Sequence, residues 1–132
     1  MLYVDSSALL KRYVDEPDSA RCEDLLLADP RWVTGRHTSV EVRRNLARAL
    51  PQPAQAAALQ AFAKDWRRFH VVELDAVTCE RAGDIAQTTG VRTLDALHLA
   101  AAGRVGGGVR FLTFDVRQAQ AARALGMAVV GL

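Results

Sequence analysis

Short apolar runs alternate with helical patterns along the whole chain, and that alternation constrains the fold more than any other feature. Leu2-Tyr3-Val4 is cut off by Asp5 and followed by the helical pattern Ser6–Tyr13. Trp32-Val33-Thr34 ends at Gly35 and precedes a helix over Thr38–Leu50. His70–Leu74 leads through Asp75 into a helix ending at Gly90, and Val109–Thr113 leads through Asp115 into another ending at Gly126. Met127–Val130 is a last apolar run. Brief runs of this kind read as buried strands. Strands that alternate with helices predict a doubly wound α/β/α domain with a mostly parallel sheet. An additional helical pair is expected between the second and third strands, where Pro51 and Pro53 separate two helical stretches. With 132 residues, half of them hydrophobic, the chain suits one domain with a real core.

Several classes are excluded early. No apolar run approaches the ~18 residues of a membrane span. The start MLYVDSSALL is acidic where a secretory leader is positive. Cys22 and Cys79 lack CxxC spacing and are expected to be reduced core thiols of a cytosolic protein. Three scattered histidines (His37, His70, His98) form no zinc pattern with them. The triple glycine 106–108 is not a phosphate loop, because no GK[ST] follows it. A net charge of +2 implies no nucleic-acid partner by itself, although Arg43, Arg44 and Arg48 share one helix.

Four acids stand at the strand-to-helix turns or early in the helices that follow: Asp5, Glu41, Asp95 and Asp115. In a parallel sheet the carboxyl ends of the strands share one edge, where ligands bind. Each acid also has a local explanation. Asp5 and Asp115 can cap helices, Thr38-Ser39-Val40-Glu41 fits a capping box, and Asp95 in a first helical turn complements the helix dipole. Together, however, they make a carboxylate cluster, in which two charges at ~4 Å cost on the order of 4 kcal/mol even at an effective dielectric near 20. An all-oxygen cluster suits Mg²⁺ or Mn²⁺. Thr113 and Ser7 are candidate supporting hydroxyls, and Ser6 can serve either the cluster or a cap. His98 is expected to be a packed histidine rather than a ligand. Arg43, Arg44 and Arg92 are the candidate phosphate-binding cations. A receiver-like signalling domain is disfavoured because only a single acid, Asp5, follows the first strand.

The segments YVDSSALLK, TSVEVRRNLAR, RTLDALHLAAA and FLTFD, in this order, resemble the PIN-domain family, and the likeness runs from the first strand to the last helix. The short length resembles the toxin half of bacterial VapBC toxin–antitoxin pairs. The resemblance implies a single PIN domain over residues 1–132 and a metal-dependent endoribonuclease. Asp5, Glu41, Asp95 and Asp115 would be its metal-binding and catalytic acids, with Mg²⁺ or Mn²⁺ as cofactor. It also implies an RNA substrate, a homodimer, a cognate VapB-like antitoxin and a cytoplasmic location. The apolar helices at 6–14 and 19–28 are expected to offer that antitoxin a groove. The alternatives are a housekeeping PIN-domain RNA-processing nuclease and a non-catalytic PIN-like binding module.

Overall fold

A computed structural model describes residues 1–132. Five strands, β1 (Leu2–Val4), β2 (Trp32–Gly35), β3 (His70–Val72), β4 (Arg110–Leu112) and β5 (Ala128–Val130), form one sheet in the order β3-β2-β1-β4-β5. Every neighbouring pair is parallel. The helices are α1 (Ser6–Leu10), α2 (Ser19–Leu27), α3 (Thr38–Ala49), α4 (Ala54–Trp66), α5 (Ala76–Thr89), α6 (Thr93–Val105) and α7 (Val116–Ala124). Each of the first three crossovers therefore carries two helices.

The pleat of β1 divides the core. Leu2 and Val4 point to a cluster with Leu9, Leu26, Trp32, Val42, Leu46, Phe62 and Leu112, beneath α1–α4. Tyr3 points the other way, into a cluster with Val33, Ile85, Leu99 and Phe111 beneath α5–α7. A strand buried on both faces reads as an unbroken apolar run, which is why β1 shows no alternation. Helix α6 contributes Ala96, Ala100, Ala101 and Ala102, all buried, so small side chains let it lie close to its neighbours. No helix is long and apolar enough to cross a membrane.

Three aspartates do the capping expected of them. Asp5, Asp75 and Asp115 accept from the amides of Ala8, Thr78 and Gln118. Gly90 closes α5 at φ 72°, a left-handed turn that favours glycine. Other expectations are corrected. Helix α1 stops at Leu10 because the chain tightens into i→i−3 bonds (Lys11 to Ala8, Arg12 to Leu9, Tyr13 to Leu10). Beyond that turn, Arg12 Nε and the Tyr13 hydroxyl both donate to Asp65 Oδ2 at 2.7 Å. Cys22 is buried as expected, but Cys79 is exposed. The inward stripe of α5 is Thr78, Ala82 and Ile85, which turns residue 79 outward. The groove expected beside α1 and α2 is present, with a volume of about 670 Å³, but its wall is mostly polar, including Lys11, Arg12, Glu23, Lys64, Asp65 and Arg68.

Candidate active site

Asp5 follows the central strand, Glu41 sits on α3 after β2, Asp95 on α6, and Asp115 follows β4. All four line one cleft of about 220 Å³, together with Ser6, Ser7, Asn45, Arg92 and His98. The cleft lies where the chain leaves β1 toward one side of the sheet and β4 lies on the other, the crevice position of an open parallel sheet.

Asp5 is the most deeply placed acid, with 3% exposure. Its Oδ1 accepts from the Ala8 amide at 2.7 Å and from the Ser7 hydroxyl at 3.0 Å. Burial nevertheless raises its pKa, outweighing the opposing effects of His98, Thr113, Ala8 and Ser7. Asp95 is also raised, first by burial and further by the negative charge of Asp115, while Arg92 lowers it. The Arg92 guanidinium lies 3.6 Å from the Asp95 carboxylate. Asp115 Oδ1 is engaged by the Gln118 amide at 3.0 Å.

Glu41 departs from its expected role. Helix α3 begins one residue early, with His37 at the N-cap position and no side-chain cap, so no capping box forms. The Thr38 hydroxyl instead meets the Thr34 hydroxyl at 2.7 Å. Glu41 lines the cleft, and its Oε1 accepts from the Ser6 hydroxyl at 2.6 Å, with His98 Nε2 at 2.9 Å. Burial alone would raise the Glu41 carboxyl, but His98 and Ser6 outweigh it and hold its pKa below the usual value. His98 is buried, as expected for a packed histidine, but its hydrogen bonds are long-range. Its Nδ1 meets the Tyr3 hydroxyl at 2.9 Å and its Nε2 meets Ser6 Oγ at 3.0 Å. One assignment satisfies this network: Tyr3 O–H donates to Nδ1, Nε2–H donates to Glu41 and Ser6 Oγ, and Ser6 O–H donates to Glu41.

Thr113 is buried, and its Oγ1 accepts from the Asp115 amide at 3.1 Å. It therefore orients an acid of the cluster without lining the cleft. Arg43 and Arg44 are exposed and do not line it either. Asn45 was not singled out from sequence. Its place one helical turn beyond Glu41 was the available signal, since i and i+4 share a face. The histidines carry the other surprise. Two of the three, His37 and His98, lie with ring centroids 4.1 Å apart although the sequence showed no ligand spacing. Burial and the neighbouring His98 ring push His37 down to about 4.

Residues 2–124 match the family model for the PIN domain. The chain belongs to the PIN-domain family. Among curated PIN-domain relatives, Ribonuclease VapC46 of Mycobacterium tuberculosis is 35% identical over 130 residues, covering 98% of this chain and 95% of that protein. A solved structure of VapC20 from the same species, titled a sarcin-ricin loop cleaving toxin, superposes with a TM-score of 0.76 at 20% identity, covering 92% of this chain and 95% of that one. The DNA-bound VapBC of Salmonella typhimurium gives a TM-score of 0.70 at 19% identity, covering 97% and 95%. The two structural likenesses establish the shared fold.

The acid cleft suits a hard divalent cation on its donor chemistry. Its acids offer only oxygen, and Glu41 Oε2 and Asp115 Oδ2 carry no protein donor. The raised pKa values of Asp5 and Asp95 mark carboxylates whose charge the protein alone does not fully compensate.

Proposed function

We propose that this PIN-domain protein is a metal-dependent endoribonuclease and the toxin of a type II toxin–antitoxin pair. The observation that carries the reading is the convergence of Asp5, Glu41, Asp95 and Asp115, from four separate parts of the chain, on one small cleft. The VapC ribonucleases among its relatives supply the substrate class.

In this reading the four acids hold Mg²⁺ or Mn²⁺. When bound, such an ion lowers the pKa of water and stabilises charge on the phosphoryl and leaving oxygens. The protein supplies the geometry. Ala8 N–H and Ser7 O–H fix Asp5, while His98 and Ser6 hold Glu41 toward the cleft, and Thr113 sets the start of the Asp115 turn. Arg92 stands at the cleft to take an RNA phosphate, and Arg43 and Arg44 extend the cationic surface along α3. Attack of water oxygen on phosphorus breaks the P–O3′ bond, leaving a 5′-phosphate, and the O3′ leaving group takes up a proton to become a 3′-hydroxyl.

The partner class follows from the VapBC relatives: a cognate VapB-like antitoxin encoded beside this chain, binding a cytoplasmic homodimer. The groove between the turn after α1 and helices α2 and α4 is the surface assigned to it, and its polar wall calls for a partner segment with charges as well as apolar anchors.

The test is cleavage of total RNA by purified protein in Mn²⁺, in Mg²⁺ and in EDTA, beside Asp95→Asn, with the new ends mapped. Discrete metal-dependent cuts bearing 5′-phosphates, absent in the variant, are expected. Cuts ending in 2′,3′-cyclic phosphate would overturn the mechanism. Replacing Arg92 should weaken RNA binding across sequences and flatten its salt dependence. Induction in cells should arrest growth, and co-expression of the neighbouring gene should relieve it.

A further inference from the structure

We propose that His37, Glu41 and His98 form a second metal site, of the transition-metal class typified by Zn²⁺, which shares Glu41 with the acid cleft and silences it when filled. The side-chain ligand atoms of these three residues all lie within 4.8 Å of one another. His37 Nε2 is 3.7 Å from Glu41 Oε1, and His98 Nε2 is 2.9 Å from the same oxygen.

His37 supplies the independent observation. Its side chain is only 9% exposed, yet neither ring nitrogen makes a hydrogen bond of good geometry; the nearby Leu94 backbone acts on the ring only weakly, behind burial, His98 and Glu41. Leaving a buried polar group unpaired costs roughly 1–3 kcal/mol, so such a group calls for an explanation. Simple packing does not provide one, because an apolar ring would fill the space at lower cost. The backbone also makes way for this imidazole. A Cβ at Gly35 would stand 2.6 Å from His37 Cε1 and 2.7 Å from Nδ1. The ring is thus seated against the end of β2, one helical turn before Glu41 and tilted 45° against His98 with centroids 4.1 Å apart.

The two separations to Glu41 lie near those of a tetrahedral ion. Bonds of about 2.0–2.1 Å set ligand-to-ligand separations near ~3.4 Å. The His37–Glu41 pair needs to close slightly and the His98–Glu41 pair to open by a similar amount. Ser6 Oγ, now between Glu41 and His98, gives way or lies beside the fourth position. Binding takes the Nε2 lone pair of His98, so its proton moves to Nδ1 and is donated to Tyr3, 2.9 Å away. A partner of that kind on the far nitrogen is the usual support of a metal-bound histidine. Two imidazoles and one carboxylate favour zinc, cobalt or nickel over magnesium, which prefers oxygen alone. Two ions competing for Glu41 make the sites mutually exclusive, and the silencing half of the proposal rests on the nuclease reading above.

The experiment is a Zn²⁺ titration of EDTA-stripped full-length protein against a chromophoric chelator, with thermal melts in parallel. Wild type, His37→Ala and Asp95→Asn are compared. Wild type and Asp95→Asn should each bind one equivalent with similar affinity and melt higher with Zn²⁺. His37→Ala, confirmed folded by circular dichroism, should lose affinity by more than the roughly 10–100-fold that loss of an outer-shell partner costs. Equal affinity in His37→Ala, or loss confined to Asp95→Asn, would overturn the site and assign the ion to the acid cleft. Absence of binding in wild type would also overturn it. With Mn²⁺-supported RNA cleavage as a second readout, one equivalent of Zn²⁺ should stop the reaction in wild type. Tight Zn²⁺ binding with undiminished cleavage would overturn the silencing. A protein that binds Zn²⁺ through His37 but never cleaves RNA would refute the nuclease reading and, with it, the silencing, while keeping the site.

Discussion

Asp5→Asn separates the two roles that converge on one carboxylate. The side chain caps α1 through a 2.7 Å bond to the Ala8 amide, and it is a charge with only 3% exposure. Asparagine keeps an oxygen for the cap, and the two residues rank nearly equal there, so that loss is a few tenths of a kcal/mol. The Ser7 bond changes from charge-assisted to neutral, a further loss of up to ~1 kcal/mol. Against these stands the cost of burying the anion, which already outweighs all the favourable bonds, since the net pKa shift is upward. The expected balance in metal-free protein at pH 7.5 is a gain on the order of 1 kcal/mol, or about 4 °C in Tm. Because the folded pKa is raised, the contribution of Asp5 to stability is complete below its unfolded value and is lost as pH rises through the folded value. The variant's advantage therefore exists at pH 7.5 and vanishes by about pH 4. Divalent metal reverses the order, because wild type at 100 times Kd gains about 2.7 kcal/mol that the variant largely forgoes. Thermal melts in EDTA and in Mn²⁺, at both pH values, provide the assay. A variant that melts several degrees lower than wild type in EDTA at pH 7.5 would refute the reasoning and leave the cap as the dominant role.

Further outcomes follow from the same geometry. Gly35→Ala should destabilise by about 1–3 kcal/mol through its clash with His37, and Gly35→Ala combined with His37→Ala should recover most of that loss in a double-mutant cycle by urea unfolding. Asp115→Ala removes the cap at the Gln118 amide and should cost about 1 kcal/mol by chemical denaturation, whereas Asp115→Asn should cost only tenths while abolishing cleavage. Arg12→Ala leaves Asp65, a buried acid, without its guanidinium partner and should lower stability by roughly 2 kcal/mol, read by urea unfolding.

What was legible in the sequence was local. The caps at Asp5, Asp75 and Asp115 each depend on residues a few positions apart, and the strand runs were marked by their apolarity. The acid cleft was legible because parallel topology places the carboxyl ends of strands on one edge whatever the details. Glu41 was placed in the cleft for that reason, although its local reading failed. The motif Thr38-Ser39-Val40-Glu41 fits a capping box, but a hydroxyl from Thr34 on β2 and the ring of His98 on α6 compete for its members. Neither competitor is near in sequence. The pairing of His37 with His98 was hidden for the same reason, since it exists only once α6 is packed beside β2. The outward turn of Cys79 depended on which stripe of α5 faces the sheet, and a helix of small and polar residues with weak amphipathicity leaves that open.

The central position of β1 bears on when the cleft comes into being. Its three residues hydrogen-bond to β2 on one side and to β4 on the other, and the Asp5 amide itself donates to Leu112. The first strand to be synthesised must therefore wait for one of the last before both its edges are covered. Contacts so distant in sequence form late and slowly. A nascent chain that has not yet reached β4 also lacks Asp115, so the carboxylate set is incomplete until that late part of the chain has been made. If the cleft cuts RNA, a chain still short of β4 is kept inactive by chain order alone, before any partner is present to restrain it.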